Sequence, residues 1–156
     1  MGGSRPGVIV AVDVGTVRVG IAASDPDRLL ASPIVTLDRD ARAGTDLQAI
    51  AELVAERRAV EVVVGLPVSM SGAATSASAT MARDYAAALE PKIHPVPVRL
   101  VDERLTTVSA TAALRASGRS ARQARAVIDQ AAAVALLQGV LDAAPPTTAP
   151  GVQTPS

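Results

Sequence analysis

Three acidic positions have the residue type and setting to do chemistry. Asp13 interrupts an otherwise apolar run, VIVAVDV, at residues 8–14. Glu103, beside Asp102, follows the mostly apolar strand VRLV at 98–101, and Asp129 sits among alanines in IDQAAAVALL. Carboxylates that converge repel one another and call for a cation. Two Mg²⁺ ions about 4 Å apart, bridged by such a cluster, can activate a water and stabilise the leaving oxygen of a phosphodiester. Each acid also has a plainer explanation. Asp13 can cap its own turn through nearby backbone N–H groups. Asp102 and Glu103 can cap a helix that follows them. Asp129 can pair with Arg125 at i, i+4, which contributes only a few tenths of a kcal/mol. Taken singly, these explanations suffice. Taken together, three acids at two strand ends and on one long helix favour a metal cluster.

Composition narrows the metal. The chain has 156 residues, no cysteine and one histidine, His94, so thiolate sites are excluded and a zinc site nearly so. Carboxylate ligands suit hard cations, Mg²⁺ or Mn²⁺, and two ions fit the cluster. Fifteen Lys+Arg balance fifteen Asp+Glu, which argues mildly against a broad nucleic-acid footprint. The basic residues do concentrate at Arg115, Arg119, Arg122 and Arg125, leading up to Asp129. Arg122, Arg125 and Asp129 fall at i, i+3 and i+7, on one helix face. That face is either a rim that grips phosphate or a solvated helix start, and both readings stay open.

Elements must carry these residues. Strands are expected at 8–14 and 18–24, joined by a turn at Gly15 and Thr16. A third strand covers LLASPIVTL, 29–37, where Pro33 predicts an edge or a bulge. Short connections make these three an antiparallel meander. Thr45 with Gln48 reads as a capping box opening a helix over 46–58, with Leu47, Ile50 and Val54 as its apolar stripe. A buried strand follows at 61–66. The loop 68–76, VSMSGAATS, is rich in hydroxyls; it reads as a connection rather than a phosphate loop. Helices are expected at 77–89 and 107–116, with a Pro-rich connection around an exposed His94 and a fifth strand at 98–101. Ser120 with Gln123 forms a second capping box before a long helix to about Asp142.

The order βββαβαβαα predicts an α/β fold: a mixed five-stranded sheet with helices on both faces. The expected domain is 8–142, between a flexible leader, 1–7, and a disordered Pro/Thr-rich tail, 143–156. The core must be built from Val, Ala, Leu and Ile, because there is no Phe or Trp and Tyr85 is the one tyrosine. No long apolar run follows a basic start, so neither a signal peptide nor a membrane span is expected, and a cytoplasmic location follows.

Five blocks now carry a resemblance: AVDVGTVRVGIAASD (11–25), LLASPIVTL (29–37), VVVGLPVSMSG (62–72), LVDERLTTVSA (100–110) and VIDQAAAVALLQGVLD (127–142). In that order they resemble the YqgF/RuvX family of pre-16S rRNA nucleases and Holliday-junction-resolvase-like proteins. The resemblance implies a ribonuclease-H-like fold similar to the RuvC resolvase. It implies Asp13, Glu103 and Asp129 as catalytic, metal-binding carboxylates, and metal-dependent phosphodiester hydrolysis that matures the 5′ end of 16S rRNA. Arg104, Thr106 and Thr107 match the rest of the family's DERLTT block. With Arg18, Arg122 and Arg125 they form the expected substrate-binding set. The loop 67–72 reads PVSMSG where members often carry a Leu-Asn-Met-Asp-Gly-like run, which weakens any substrate contact there. The expected partners are a ribosomal RNA precursor or branched DNA, and a pre-ribosomal particle, with the chain a monomer or homodimer.

Two other functions compete. DxGT followed by glycine also resembles the phosphate loop of sugar kinases, actin and Hsp70. Those proteins close two such domains on ATP, and this chain supplies one. A ribonuclease-H-like module that holds RNA without cutting is the other. Neutral net charge and the lack of aromatic stacking residues weigh against tight autonomous binding, and the acidic trio weighs against lost catalysis.

Overall fold

Alternating β-branched residues build the centre of the molecule. The computed structural model describes residues 6–67, 77–103 and 121–143, with the side chains of 121–129 outside the described set. Val10 and Val12 of β1 (Val8–Val14) and Val62 and Val64 of β4 (Ala59–Leu66) are fully buried on one face of the sheet. Ile9, Ala11 and Val63 are buried on the other. Both strands are therefore apolar on both faces, as central strands covered by helices must be. The strand order is β3-β2-β1-β4-β5. β1 pairs antiparallel with β2 (Arg18–Ser24), and β2 antiparallel with β3 (Ala31–Asp38). β4 and β5 (Val98–Asp102) run parallel to β1. The mixed five-stranded α/β sheet and its initial meander are thus as expected.

β3 is the edge strand, and its register slips where Ile21 faces Val35 but Ala22 faces Pro33. The proline cannot donate to a ladder, and the bulge takes up the mismatch. The strand begins at Ala31 rather than at position 29. Asp25 prevents the earlier start: its carboxylate accepts the amides of Asp27, Leu29 and Leu30 and folds 25–30 into a turn.

Helices α1 (Thr45–Arg57) and α2 (Ala77–Ile93) cover one face. Ile50, Val54, Ala82, Tyr85 and Leu89 pack there on Val10, Val12, Val62 and Val64. The expected capping box of Thr45 and Gln48 does not form. Gly44 is the N-cap, at φ 70°, with no side-chain cap bond. Asp40 takes over: its carboxylate accepts the amides of Arg42, Ala43 and Thr45 and, at 2.7 Å, the Thr45 hydroxyl. The carboxylate outcompetes the local box because a charged acceptor makes the stronger bond. α2 also runs past Pro91 instead of stopping at 89. Pro91 is exposed, so the carbonyl it strands can meet water, while Leu89 and Ile93 bury on either side of it.

Helix α3 (Ala121–Ala143) alone covers the opposite face among the described residues. It packs Ala133, Leu136, Leu137 and Val140 on Ile9, Ala11, Ala22, Ala31, Val63 and Val101. With no Phe or Trp available, this layer is filled by Ala, Val, Leu and Ile. No described helix is long and apolar enough to cross a membrane. The leader up to Arg5, the loop 68–76, the helix expected over 107–116, Ser120 and the tail beyond Ala143 lie outside the described residues.

Asp25 and Asp40 give the fold an acid limb. The Leu30 amide, supported by those of Leu29 and Asp27, holds Asp25 below the ordinary 3.8. The Ala43 amide, then the Thr45 hydroxyl, does the same for Asp40. A carboxyl whose folded pKa is depressed stabilises the fold above its unfolded pKa. That stabilisation is lost as pH falls through the folded value. Thermal unfolding followed from pH 6 to about pH 2 should therefore show a falling Tm below the ordinary carboxylate range. Asp25→Asn and Asp40→Asn should each make that acid-side slope shallower. A slope unchanged in both variants would show that these turns do not set it.

Candidate active site

The three parallel strands deliver their C-terminal ends to one edge of the sheet, where binding crevices of open α/β sheets form. Alternation decides which side chains share a face. In β1, Ile9 and Ala11 face α3, so Asp13 does too. In β5, Val101 faces α3, which places Glu103, just past the strand, on the same side. Asp13 pairs with Gly20, and Gly20 with Thr36. Val12 pairs with Val64, so the residues that follow, Asp13 and Gly65, are neighbours across the β1–β4 ladder. Gly65 in turn pairs with Val101. One row across the sheet thus reads Thr36, Gly20, Asp13, Gly65, Val101. Asp13 and Glu103 are both half-buried.

Gly65 is the position in this row that the strand pattern alone passes over. A Cβ at this position would stand 2.8 Å from Glu103 Oε2, 3.0 Å from Glu103 Cγ and 3.1 Å from Leu136 Cδ2. The glutamate therefore lies back across β4 toward Asp13's strand, through space that only glycine leaves open. A glycine inside the run VVVGL carries the signal: in a buried strand it marks close approach by another group. The turn after Asp13 has its own glycine requirement. The Gly15 amide donates to the Arg18 carbonyl at 2.8 Å, and a Cβ on Gly15 would meet that same oxygen at 2.8 Å.

α3 is registered against this row. Gln130 Nε2 donates to Thr36 Oγ1 at 3.1 Å. Further along, Gln138 Oε1 accepts the Ala31 amide at 3.0 Å, and its Nε2 donates to the Leu29 carbonyl. The helix is thereby fixed at both ends of β3. Position 129 immediately precedes Gln130, and it precedes Ala133 by four residues and Leu136 by seven, both fully buried against the sheet.

The structure thus brings Asp13 and Glu103 to one face and one end of the sheet. Asp129 is on α3 at the matching end of the helix, with its side chain outside the described set. Arg18 opens β2 at that same end. Arg122 and Arg125 lie on α3 with side chains outside the described set, and Arg104, Thr106 and Thr107 lie outside the described residues altogether. Among the described residues, no three His, Cys, Asp or Glu side chains gather closely enough to hold a metal by themselves. The donor chemistry nonetheless suits one kind of ion. Asp13 and Glu103 offer only hard carboxylate oxygens, and the Gly65 gap leaves room for Glu103 over the strand.

Known proteins resemble this chain along most of its length. A protein named "Putative pre-16S rRNA nuclease" from Rhodococcus jostii is 51% identical over 151 residues, covering 90% of this chain and 84% of the relative. One of the same name from Kineococcus radiotolerans is 54% identical, covering 94% and 78%. Another from Mycolicibacterium paratuberculosis is 56% identical, covering 85% and 78%. Among solved structures, Thermus thermophilus RuvC in complex with a Holliday junction substrate superposes with a TM-score of 0.52. It is 15% identical and covers 83% of this chain and 90% of RuvC, a likeness of fold. A family model described as RuvX, Holliday junction resolvase, matches residues 7–143, and by that match over the whole sheet and α3 this chain belongs to the RuvX family.

Proposed function

We propose that this chain is a nuclease that hydrolyses phosphodiester bonds with the help of divalent cations, and that it trims the 5′ region of 16S rRNA precursors. The observation that carries the reading is the placement of Asp13 and Glu103 on the α3 face, at the C-terminal ends of parallel strands, beside the Gly65 gap. The names of the relatives, at 51–56% identity, support the substrate. The nuclease domain is 8–142, acting in the cytoplasm on a pre-ribosomal particle.

Asp13, Glu103 and Asp129 would hold Mg²⁺ or Mn²⁺, two ions by the number of carboxylates. The bound metal supplies Lewis-acid charge and an acidic water for attack on phosphorus. The protein's part is positional. Asp13 is fixed by the β1 ladder and the Gly15 turn. Glu103 is fixed by its seat over Gly65, and α3 by the Gln130–Thr36 bond. Arg18, Arg104, Arg122 and Arg125, with Thr106 and Thr107, would bind the substrate backbone. Arg suits that task through its fork of donors.

A cleavage assay with Mg²⁺ or Mn²⁺ should offer a 16S rRNA precursor 5′ end and a four-way DNA junction side by side. The precursor should be cut. Asp13→Asn, Glu103→Gln and Asp129→Asn should each slow cutting at least about a hundredfold, the scale of one lost transition-state charge contact. Cutting of the junction alone would move the substrate to branched DNA, as the family description has it. Wild-type rates in all three variants would end the metal mechanism.

Gly65→Ala tests the seat of Glu103 separately. The glutamate's end can swing away cheaply, but fully buried Leu136 cannot, so the fold should lose only about 1–3 kcal/mol. Cleavage should fall at least about tenfold, as for a misplaced catalytic group. Urea unfolding and the same assay separate the two effects. Wild-type cleavage in a folded Gly65→Ala protein would mean that the carboxylate of Glu103 need not lie where it does.

A further inference from the structure

Arg39 directly follows β3 and sits beside the turn that follows Asp13. There Arg39 touches that turn twice. Its amide donates to the Val17 carbonyl at 2.8 Å, and its Nη1 donates to the Gly15 carbonyl at 3.3 Å. The guanidinium is itself held, lying 5.4 Å from the centre of the Tyr85 ring. Tyr85 is buried between α2 and the sheet, and its hydroxyl donates to Asp46 Oδ2 of α1 at 2.8 Å. Asp46 is only 4% exposed, and its second oxygen, Oδ1, has no hydrogen-bond partner among the described residues. A buried carboxylate with one open oxygen is costly unless positive charge lies near, and both Asp46 and Arg39 act electrostatically on the Tyr85 phenol. The contacts therefore run without a break from α1 through α2 to the backbone two residues after Asp13.

We infer that Arg39 is a positioning residue: braced by Tyr85 and Asp46, it clamps the Gly15 carbonyl and so fixes where β1 ends and where Asp13 is presented. This role rests on the nuclease reading for its consequence, though not for its geometry. Tyr85 belongs to the α1/α2 face, whereas Asp13 belongs to the α3 face. Arg39 therefore acts through the backbone rather than by contact with substrate, and its loss should lower kcat and leave KM in place.

Amide hydrogen exchange of the full chain, read by NMR, tests the clamp without substrate. Arg39→Met keeps an apolar chain over the Tyr85 ring and removes the donor. The Gly15 amide should then exchange about tenfold faster, while Val10 and Val12 of the same strand keep their protection. Arg39→Lys, which restores a donor and a charge, should recover most of the Gly15 protection. In the cleavage assay, Arg39→Met should lose about tenfold or more in kcat with KM unchanged, the effect of a slightly misplaced catalytic group. Unchanged Gly15 exchange in Arg39→Met overturns the clamp. Equal loosening at Val10 and Val12 overturns it too, because the residue would then serve general stability. Unchanged kcat in a locally loosened variant overturns its role in catalysis. A wild-type protein that cuts nothing counts against the nuclease reading, while the exchange result still decides the clamp.

Discussion

A carboxylate at the end of a strand buried on both faces is the constraint on which the rest of this structure depends. Asp13 continues a face whose preceding members, Ile9 and Ala11, are almost fully buried. Charge in that position must be hydrogen-bonded, paired or met by a cation. The surrounding residues are arranged to allow this. Glycines flank Asp13 in its own row, at position 20 on one side and 65 on the other. The second of these glycines lets Glu103 lie over the neighbouring strand. Two carboxylates are thereby brought to one face of the sheet.

The small-residue core serves the same constraint. A helix built on large side chains would stand farther from the sheet, at the upper end of the usual helix spacing. Here α3 contributes Ala133 between Leu136, Leu137 and Val140, and the sheet answers with Ala11, Ala22 and Ala31. Two glutamines set the helix's position along β3. Apolar packing of this kind is non-directional and fixes distance better than register. The directional Gln130–Thr36 and Gln138–Ala31 bonds supply the register. Any residue on the sheet-facing stripe of α3 thus has a defined height above the row that contains Asp13.

Features that depend on near neighbours in sequence were legible. The β-branched runs announced the central strands, the short turns announced the meander, and Pro33 announced the bulge on the edge strand. Asp13 was legible as an acid in an apolar run and Glu103 as one just past a strand end, and the structure places both on one face. What could not be read depends on partners distant in the chain. Thr45 and Gln48 have the spacing of a capping box, yet Asp40 reaches forward and takes the Thr45 hydroxyl. Pro91 looks like a stop signal, but the burial of Ile93 carries the helix beyond it. Tyr85 and Asp46 are 39 residues apart, and no periodicity links them. Gly65 could have been singled out, since a glycine amid valines is a poor choice for a strand unless something must approach it.

Charge balance gives the proposed metal a second task. With fifteen basic and fifteen acidic residues, the chain has no surplus of positive charge to draw a polyanion towards an acidic site. The first effect of gathering carboxylates there is to repel phosphate. On the proposed reading, bound cations reverse the sign of that field, so substrate binding and catalysis both depend on them. A module that merely held RNA would gain nothing from acids at this end of the sheet; a basic or aromatic face would bind better. On the proposed reading the acids serve as ligands. On that reading, the glycines beside Asp13 and under Glu103 fit a site where small displacements change a rate rather than only an affinity.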